Sequence, residues 1–234
     1  MESNAREMIS AEETARRNPM RPPAHLPRDA RSALKTFVSI TSPRLLVIML
    51  SVLLTLRLYV GQWSFWDAVV VLALLAYWPI NEWLIHVVLL HFKPRVIFGK
   101  RVDFLLPQTH RSHHADPWNL QHVFIPLHIY VGALPVYGLL AWWGWHEPLV
   151  LTFITAHLLL ATHYEWVHFL AHIPWCPNLS HYQTRVREHR LHHFRNENYW
   201  WGVSMGSADR WFGTAPDPEK VGRSGTHSTL GLNQ

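Results

Sequence analysis

Cysteine occurs once in 234 residues, as Cys176. One thiol excludes an intramolecular disulfide and leaves any Cys-based zinc or iron–sulfur site without its ligands. Charge is also sparse: Asp, Glu, Lys and Arg together make up 16% of the chain, against about 25% in soluble domains. Acidic residues are the scarcer kind, 16 against 21 basic, for a net charge of +5. That sign would admit nucleic acid, but no basic stripe interleaved with stacking aromatics occurs, and nucleic acid is excluded as a partner. With 49% hydrophobic residues the chain is not disordered. Its length accommodates one domain, or a compact membrane unit with an extension. Against these scarcities stand 18 histidines and 13 tryptophans, and this joint excess points to a metal and a membrane.

A mean hydropathy near zero hides a segregation of charge along the chain. Uncharged runs at Leu45–Leu56, Ala68–Asn81, Trp83–Phe92, Pro117–His146 and Pro148–Tyr164 assemble into four expected membrane spans: residues 44–62, 65–92, 123–144 and 148–173. The first includes Arg57, read as snorkelling to headgroups from a helix end. Lys and Arg crowd the N-terminal segment, the loop after the second span and the C-terminal segment, whereas the loops 61–64 and 144–147 have none. By the positive-inside rule both termini and the long middle loop face the cytosol. Trp63, Trp66, Trp142, Trp143 and Trp145 form the aromatic belt of the opposite face. The first 35 residues carry charge and no apolar run, unlike a cleavable signal peptide. Residues 1–43 are therefore expected to be a cytosolic arm, with a short helix over 5–17. Residues 44–214 form the membrane unit with its cytosolic cap, and 215–234, with Pro216, Pro218 and Gly222, a flexible tail. The expected fold is an all-α integral membrane protein of four transmembrane helices, with a cytosolic helical cap holding a histidine-rich dimetal site.

Ten histidines fall in four groups: His86 and His91; His110, His113 and His114; His168 and His172; His189, His192 and His193. Spacings of three and four residues share a helix face, so each HxxHH projects three imidazoles together. His86 and His91, five apart, lie about 140° from each other on a regular α-helix and converge only if the helix end unwinds or if each faces a different metal. The second and fourth spans, each about 40 Å long, overrun a hydrocarbon core of about 30 Å. All four groups then reach the cytosolic face. Neutral imidazole suits iron, zinc, copper or nickel, and ten exceed what one ion takes, so two metals are expected. Of the other eight histidines, His122, His128, His157 and His181 are read as structural or supporting, and His163 as either a ligand or a substrate contact.

The order of these motifs resembles the fatty acid hydroxylase (sterol desaturase) superfamily of integral-membrane di-iron enzymes, most closely its fatty acid 2-hydroxylase branch. The resemblance covers residues 80–214. It includes Tyr164-Glu165-Trp166-Val167-His168, where the branch usually shows Tyr-Asp, and the closing stretch Gly202-Val203-Ser204 through Trp211-Phe212-Gly213-Thr214. It implies O₂-dependent hydroxylation of a lipid acyl chain by two iron ions, which zinc can replace in a purified sample. Tyr164 and Glu165 become the catalytic candidates, and the ten histidines the ligands. No His-Pro-Gly-Gly haem motif of a fused cytochrome b5 occurs, so a separate reductase, ferredoxin or cytochrome b5 is implied as electron donor. Lys100, Arg101, Arg185 and Arg187 are a candidate docking surface for it. The membrane is the bacterial inner membrane or the endoplasmic reticulum. Desaturation, and hydroxylation of sterols or carotenoids, share the same ligand set. A membrane haem carrier would need two or four histidines inside the bundle, and a metal transporter would need ligands along a midplane path.

Overall fold

The computed structural model describes residues 21–132, 135, 139 and 147–232. Helix α1 (Ala30–Ser39) begins at a capping box, with the Asp29 carboxylate accepting from the Ser32 amide at 2.9 Å, which satisfies a first-turn N–H. Its apolar stripe buries Ala33 and Phe37 against Phe124, Phe169, Leu170 and Ile173. This part of the expected surface arm is therefore docked, because the stripe finds a core to cover. The helix expected over 5–17 lies outside the described residues.

Helix α2 (Thr41–Val60) and helix α3 (Phe65–Leu84), which continues as a π-helix over Ile85–Leu90, follow. Among the described residues, Thr41–Val60 and Phe65–Leu90 are the two helices long and apolar enough to cross a membrane. Their large apolar side chains face outward: Val52 is 60% exposed, Leu58 61% and Leu72 65%. Water does not favour such contiguous apolar surface, whereas lipid does. Arg57 does not snorkel. It is 1% exposed, and its Nη2 donates to Asp67 Oδ1 at 2.6 Å, its Nε to Thr152 Oγ1 at 2.6 Å and its Nη1 to the Gly61 carbonyl. Asp67, three residues after the N-cap Ser64, also receives the Ser64 amide at 2.7 Å, so one carboxylate caps α3 and neutralises α2.

After the π-helix the chain forms a two-stranded antiparallel hairpin, β1 (Arg95–Ile97) with β2 (Lys100–Val102), with Arg95 opposite Val102. Phe98 and Gly99 at its tip have φ of 49° and 73°, as tight hairpin turns require. The hairpin departs from an all-α fold, although the chain is mostly helical. Helix α4 (Leu105–Ala115) and the short α5 (Leu120–Val123) lead to helical turns at 127–132. Most of the third expected span, 123–144, lies outside the described residues. Helix α6 (Glu147–Ala171) occupies the fourth and packs against α2, α3 and α7 (Ser180–Phe194). Helix α8 (Ser207–Trp211) and a 3₁₀ turn at Pro218–Lys220 complete the order. Within the segment after 214, expected to be loose, Val221 and Leu230 are buried, at 9% and 4% exposed.

Candidate metal centre

The ten histidines converge from four elements and sort into two groups of five. His86, His91, His110, His114 and His192 form one; His113, His168, His172, His189 and His193 form the other. Within each group the candidate ligand atoms all lie within 4.8 Å of one another. Each HxxHH is split between the groups. Its first and last histidines, one helical turn apart, serve one group, and the middle histidine, rotated off that face, serves the other. In α4 the pair His110/His114 goes to the first group and His113 to the second. In α7 the pair His189/His193 goes to the second group and His192 to the first.

The π-helix explains His86 and His91. The His91 amide donates to the His86 carbonyl at 3.1 Å, a five-residue closure that brings positions i and i+5 onto one face. Their ring centroids stand 5.1 Å apart. His168 and His172 reach the second group from the C-terminal turns of α6, with centroids 5.0 Å apart.

An arginine follows the first histidine of each HxxHH and fastens the cap helix to the end of a histidine-bearing helix. Arg111 donates to the Phe92 carbonyl at 3.1 Å and pairs with Asp103 at 2.7 Å. Arg190 donates to the carbonyls of Ala171 and Ile173 at 2.8 and 2.6 Å, on either side of His172.

Three imidazoles of the first group are oriented by backbone carbonyls. His86 Nδ1 donates to the Trp201 carbonyl at 2.6 Å, His114 Nδ1 to the His227 carbonyl at 2.9 Å and His192 Nδ1 to the Tyr199 carbonyl at 2.8 Å. A carbonyl can only accept, so Nδ1 carries the proton and, in the neutral ring, Nε2 presents a lone pair. His110 Nε2 lies 3.2 Å from His86 Nε2 and 3.1 Å from His114 Nε2. One proton on His110 could satisfy only one of these contacts, leaving lone pair against lone pair in the other. Protonating the rings fully is disfavoured: burial pushes the imidazoles of His110, His192 and His114 down from their usual values, His114 to about 3. The same desolvation, aided by neighbouring imidazoles, lowers His113, His189 and His193.

A cation resolves this arrangement. Two nitrogens bound to one ion at about 2.1 Å stand about 3.0 Å apart when their bonds meet at a right angle. Four Nε2 pairs, all within a group, match that spacing: His86–His110 at 3.2 Å, His110–His114 at 3.1 Å, His113–His168 at 3.1 Å and His189–His193 at 3.0 Å. The Nε2 atoms of His91, His172 and His192 are buried with no protein partner. An all-imidazole set fits a borderline divalent ion such as iron or zinc.

Residues beyond the histidines build the surrounding shell. Trp201 sets its ring 4.6 Å from His91 and 5.1 Å from His192. Trp201, 7% exposed, covers the first group with its ring, Trp200 beside it is buried at 1%, and Trp211 is 60% exposed. Asp209 holds their loop, accepting from the amides of Trp201 and Gly202 at 2.9 and 2.6 Å and from Thr214 Oγ1 at 2.6 Å. A Cβ at Gly202 would collide with the Met205 carbonyl and the Asp209 carboxylate. Glu82, one turn before His86, accepts from Trp78 Nε1 at 2.5 Å, from the amides of Ser204 and Met205 at 3.0 and 3.2 Å, and from Ser204 Oγ.

Of the catalytic candidates, Tyr164 sets its ring 5.8 Å from His168 and packs among Val70, Leu74, Trp78, Leu160 and Val203. Glu165 Oε1 accepts from the Ile125 amide at 2.9 Å and from the Tyr130 hydroxyl at 2.7 Å, and its Oε2 is buried without a partner. His163 lies outside both groups, stacked on His181 at 5.8 Å. Arg185 is 3% exposed and pairs with Glu188 at 2.5 Å, so it does not belong to a docking surface.

The family model described as fatty acid hydroxylase matches residues 70–214. No curated protein shows significant sequence similarity to the chain. Among solved structures, full-length Scs7p, in which only the hydroxylase domain is visible, is similar with a TM-score of 0.63 and 18% identity, over 78% of this chain and 68% of that one. At that identity the likeness is one of fold.

Proposed function

Because the chain belongs to the fatty acid hydroxylase family, we propose that it is a membrane-bound, O₂-dependent di-iron hydroxylase of a lipid acyl chain, acting at the 2-position of a fatty acyl group. His86, His91, His110, His114 and His192 hold one ion; His113, His168, His172, His189 and His193 hold the other. The observation that carries this reading is His110 Nε2, set 3.1–3.2 Å from two imidazole nitrogens whose protons are committed elsewhere. When bound, the ions supply the redox chemistry by which dioxygen oxidises an unactivated C–H bond.

The protein's own groups bind, orient and exclude water. The carbonyls of Trp201, Tyr199 and His227 fix the tautomers of three ligands, and the Trp200–Trp201 loop seals the centre from the aqueous side. Tyr164 stands between the second histidine group and the apolar side chains of α3 and α6, where it positions an acyl chain entering from the bilayer. The unpartnered Glu165 Oε2 holds a polar group or water beside it. Four spans, two of them α2 and α3, place the centre at the cytosolic mouth of the bundle, and a separate ferredoxin, cytochrome b5 or reductase supplies electrons.

The test is expression with an electron donor under ¹⁸O₂, followed by mass spectrometry of membrane lipids. The reading predicts a lipid carrying one ¹⁸O atom with the wild type and none with His110→Ala or His192→Ala. Loss of two hydrogens without label would identify a desaturase, and no lipid change would end the hydroxylase reading.

A further inference from the structure

The C-terminal segment beyond residue 214 lies outside the family match, yet it supplies a contact to the first histidine group. The His227 carbonyl is the acceptor for His114 Nδ1 at 2.9 Å. The chain around it is fastened on both sides of that contact. Arg195 Nε donates to the Val221 carbonyl at 2.8 Å, the Ser224 amide donates to the Arg195 carbonyl at 2.7 Å, and Asn196 Nδ2 donates to the Gly222 carbonyl at 3.3 Å. Thr226 Oγ1 donates to Glu197. The His227 ring turns back onto its own segment, Nδ1 donating to the Ser224 carbonyl at 2.8 Å. The turn closes with the Leu230 amide on the Thr226 carbonyl at 2.7 Å, and Leu230 is 4% exposed. Gly231 then lies against the Lys93 ammonium, where a Cβ would stand 2.9 Å from Nζ.

These fastenings fall on three elements. Residues 195–197 directly follow α7, which supplies His192; Lys93 lies two residues after His91; and His114 is in the last turn of α4. They are the elements that build the first group. Pinning Nδ1 of an imidazole fixes both its tautomer and the direction of its Nε2 lone pair, and such outer contacts govern metal affinity.

We propose that residues 215–232 act as a strap that positions His114 and thereby retains the ion of the first group, with the His227 backbone carbonyl, not its side chain, as the working atom. This inference rests on the two-ion reading above.

The test loads the purified full chain anaerobically with ferrous iron and counts ions per chain by elemental analysis, with circular dichroism as the check on folding. Three variants are compared: a chain ending at Val221, Leu230→Asp in the full chain, and His227→Ala, which keeps the carbonyl. The proposal expects the first two to hold half the iron of the wild type with unchanged helicity, and His227→Ala to hold all of it. Full iron in the shortened chain and in Leu230→Asp would overturn the strap, as would loss of both ions together, or His227→Ala losing iron as the other two do. A wild type that binds no iron would instead overturn the two-ion reading itself.

Discussion

His114 and His193 stack face to face, with ring centroids 4.2 Å apart and planes 30° from parallel, yet they belong to different five-histidine groups. The two groups therefore abut, and each cap helix feeds both. Neither HxxHH is confined to one group, whereas the pairs His86/His91 and His168/His172 each serve one.

This crossing predicts how single substitutions divide the metal. His192→Ala, in α7, removes a ligand from the group built mainly by α3 and α4, whereas His189→Ala, on the same helix, removes one from the other. Each is expected to lower bound iron from about two ions per chain to about one, as elemental analysis of the anaerobically loaded protein would read, and each to abolish hydroxylation. If the double variant His189→Ala, His192→Ala still held one ion, both substitutions would remove the same ion and the assignment of His192 would be wrong.

Arg190 bridges two carbonyls that flank His172, a task for which the planar guanidinium fork is suited and a lysine is not. Hydrogen bonds from a charged donor are worth about 1.5–3 kcal/mol each. Arg190→Ala is therefore expected to lower the melting temperature in detergent clearly, with Arg190→Lys recovering only part of the loss. Arg111→Ala, at the matching position of α4, should behave alike. Equal melting temperatures for wild type and Arg190→Ala would show that these bonds do not hold the cap.

Arg57 and Asp67 are a buried pair, with side chains 2% and 7% exposed and 2.6 Å apart. Removing one partner leaves the other charge uncompensated, at a cost of about 3–5 kcal/mol, whereas replacing both with apolar groups is often neutral. Arg57→Met alone should therefore be poorly stable, and Arg57→Met with Asp67→Leu should recover in thermal melts. A double variant no more stable than the single would assign the loss to packing and to the missing α3 cap.

The spacing of the histidines was legible in the sequence because a helical turn is a property of the chain alone. How each HxxHH divides was not. His113 and His114 are neighbours in sequence and differ by about 100° around the helix, and only the packing of α4 against the other histidine-bearing elements decides which group each joins. The convergence of His86 and His91 depended on a π-helical closure that no residue type signals. The three carbonyls that orient His86, His114 and His192 were invisible for a simpler reason: every residue has one. Arg57 was misread because an arginine near a span's end reads as snorkelling. The Ser64-x-x-Asp67 capping pattern was the available sign of a nearby carboxylate. The proline- and glycine-rich C-terminal segment reads as loose by composition, although Arg195, Asn196 and Glu197 fasten its turns.

The single native thiol offers a test of topology. In a Cys176→Ser background, Phe98→Cys at the fully exposed hairpin tip and Gln62→Cys in the loop between α2 and α3 should react with an impermeant maleimide from opposite sides of sealed vesicles, Phe98→Cys from the cytosolic side. Labelling of both from one side would contradict a membrane-crossing α3.

In the crossed pattern ten histidines would hold two ions, five each. Anomalous scattering at the iron edge from the iron-loaded protein measures it directly. Two peaks are expected, one within ligand distance of the Nε2 atoms of His110, His114 and His192 and the other beside His113, His189 and His193. A single peak, or one peak shared by His110, His113 and His114, would contradict it.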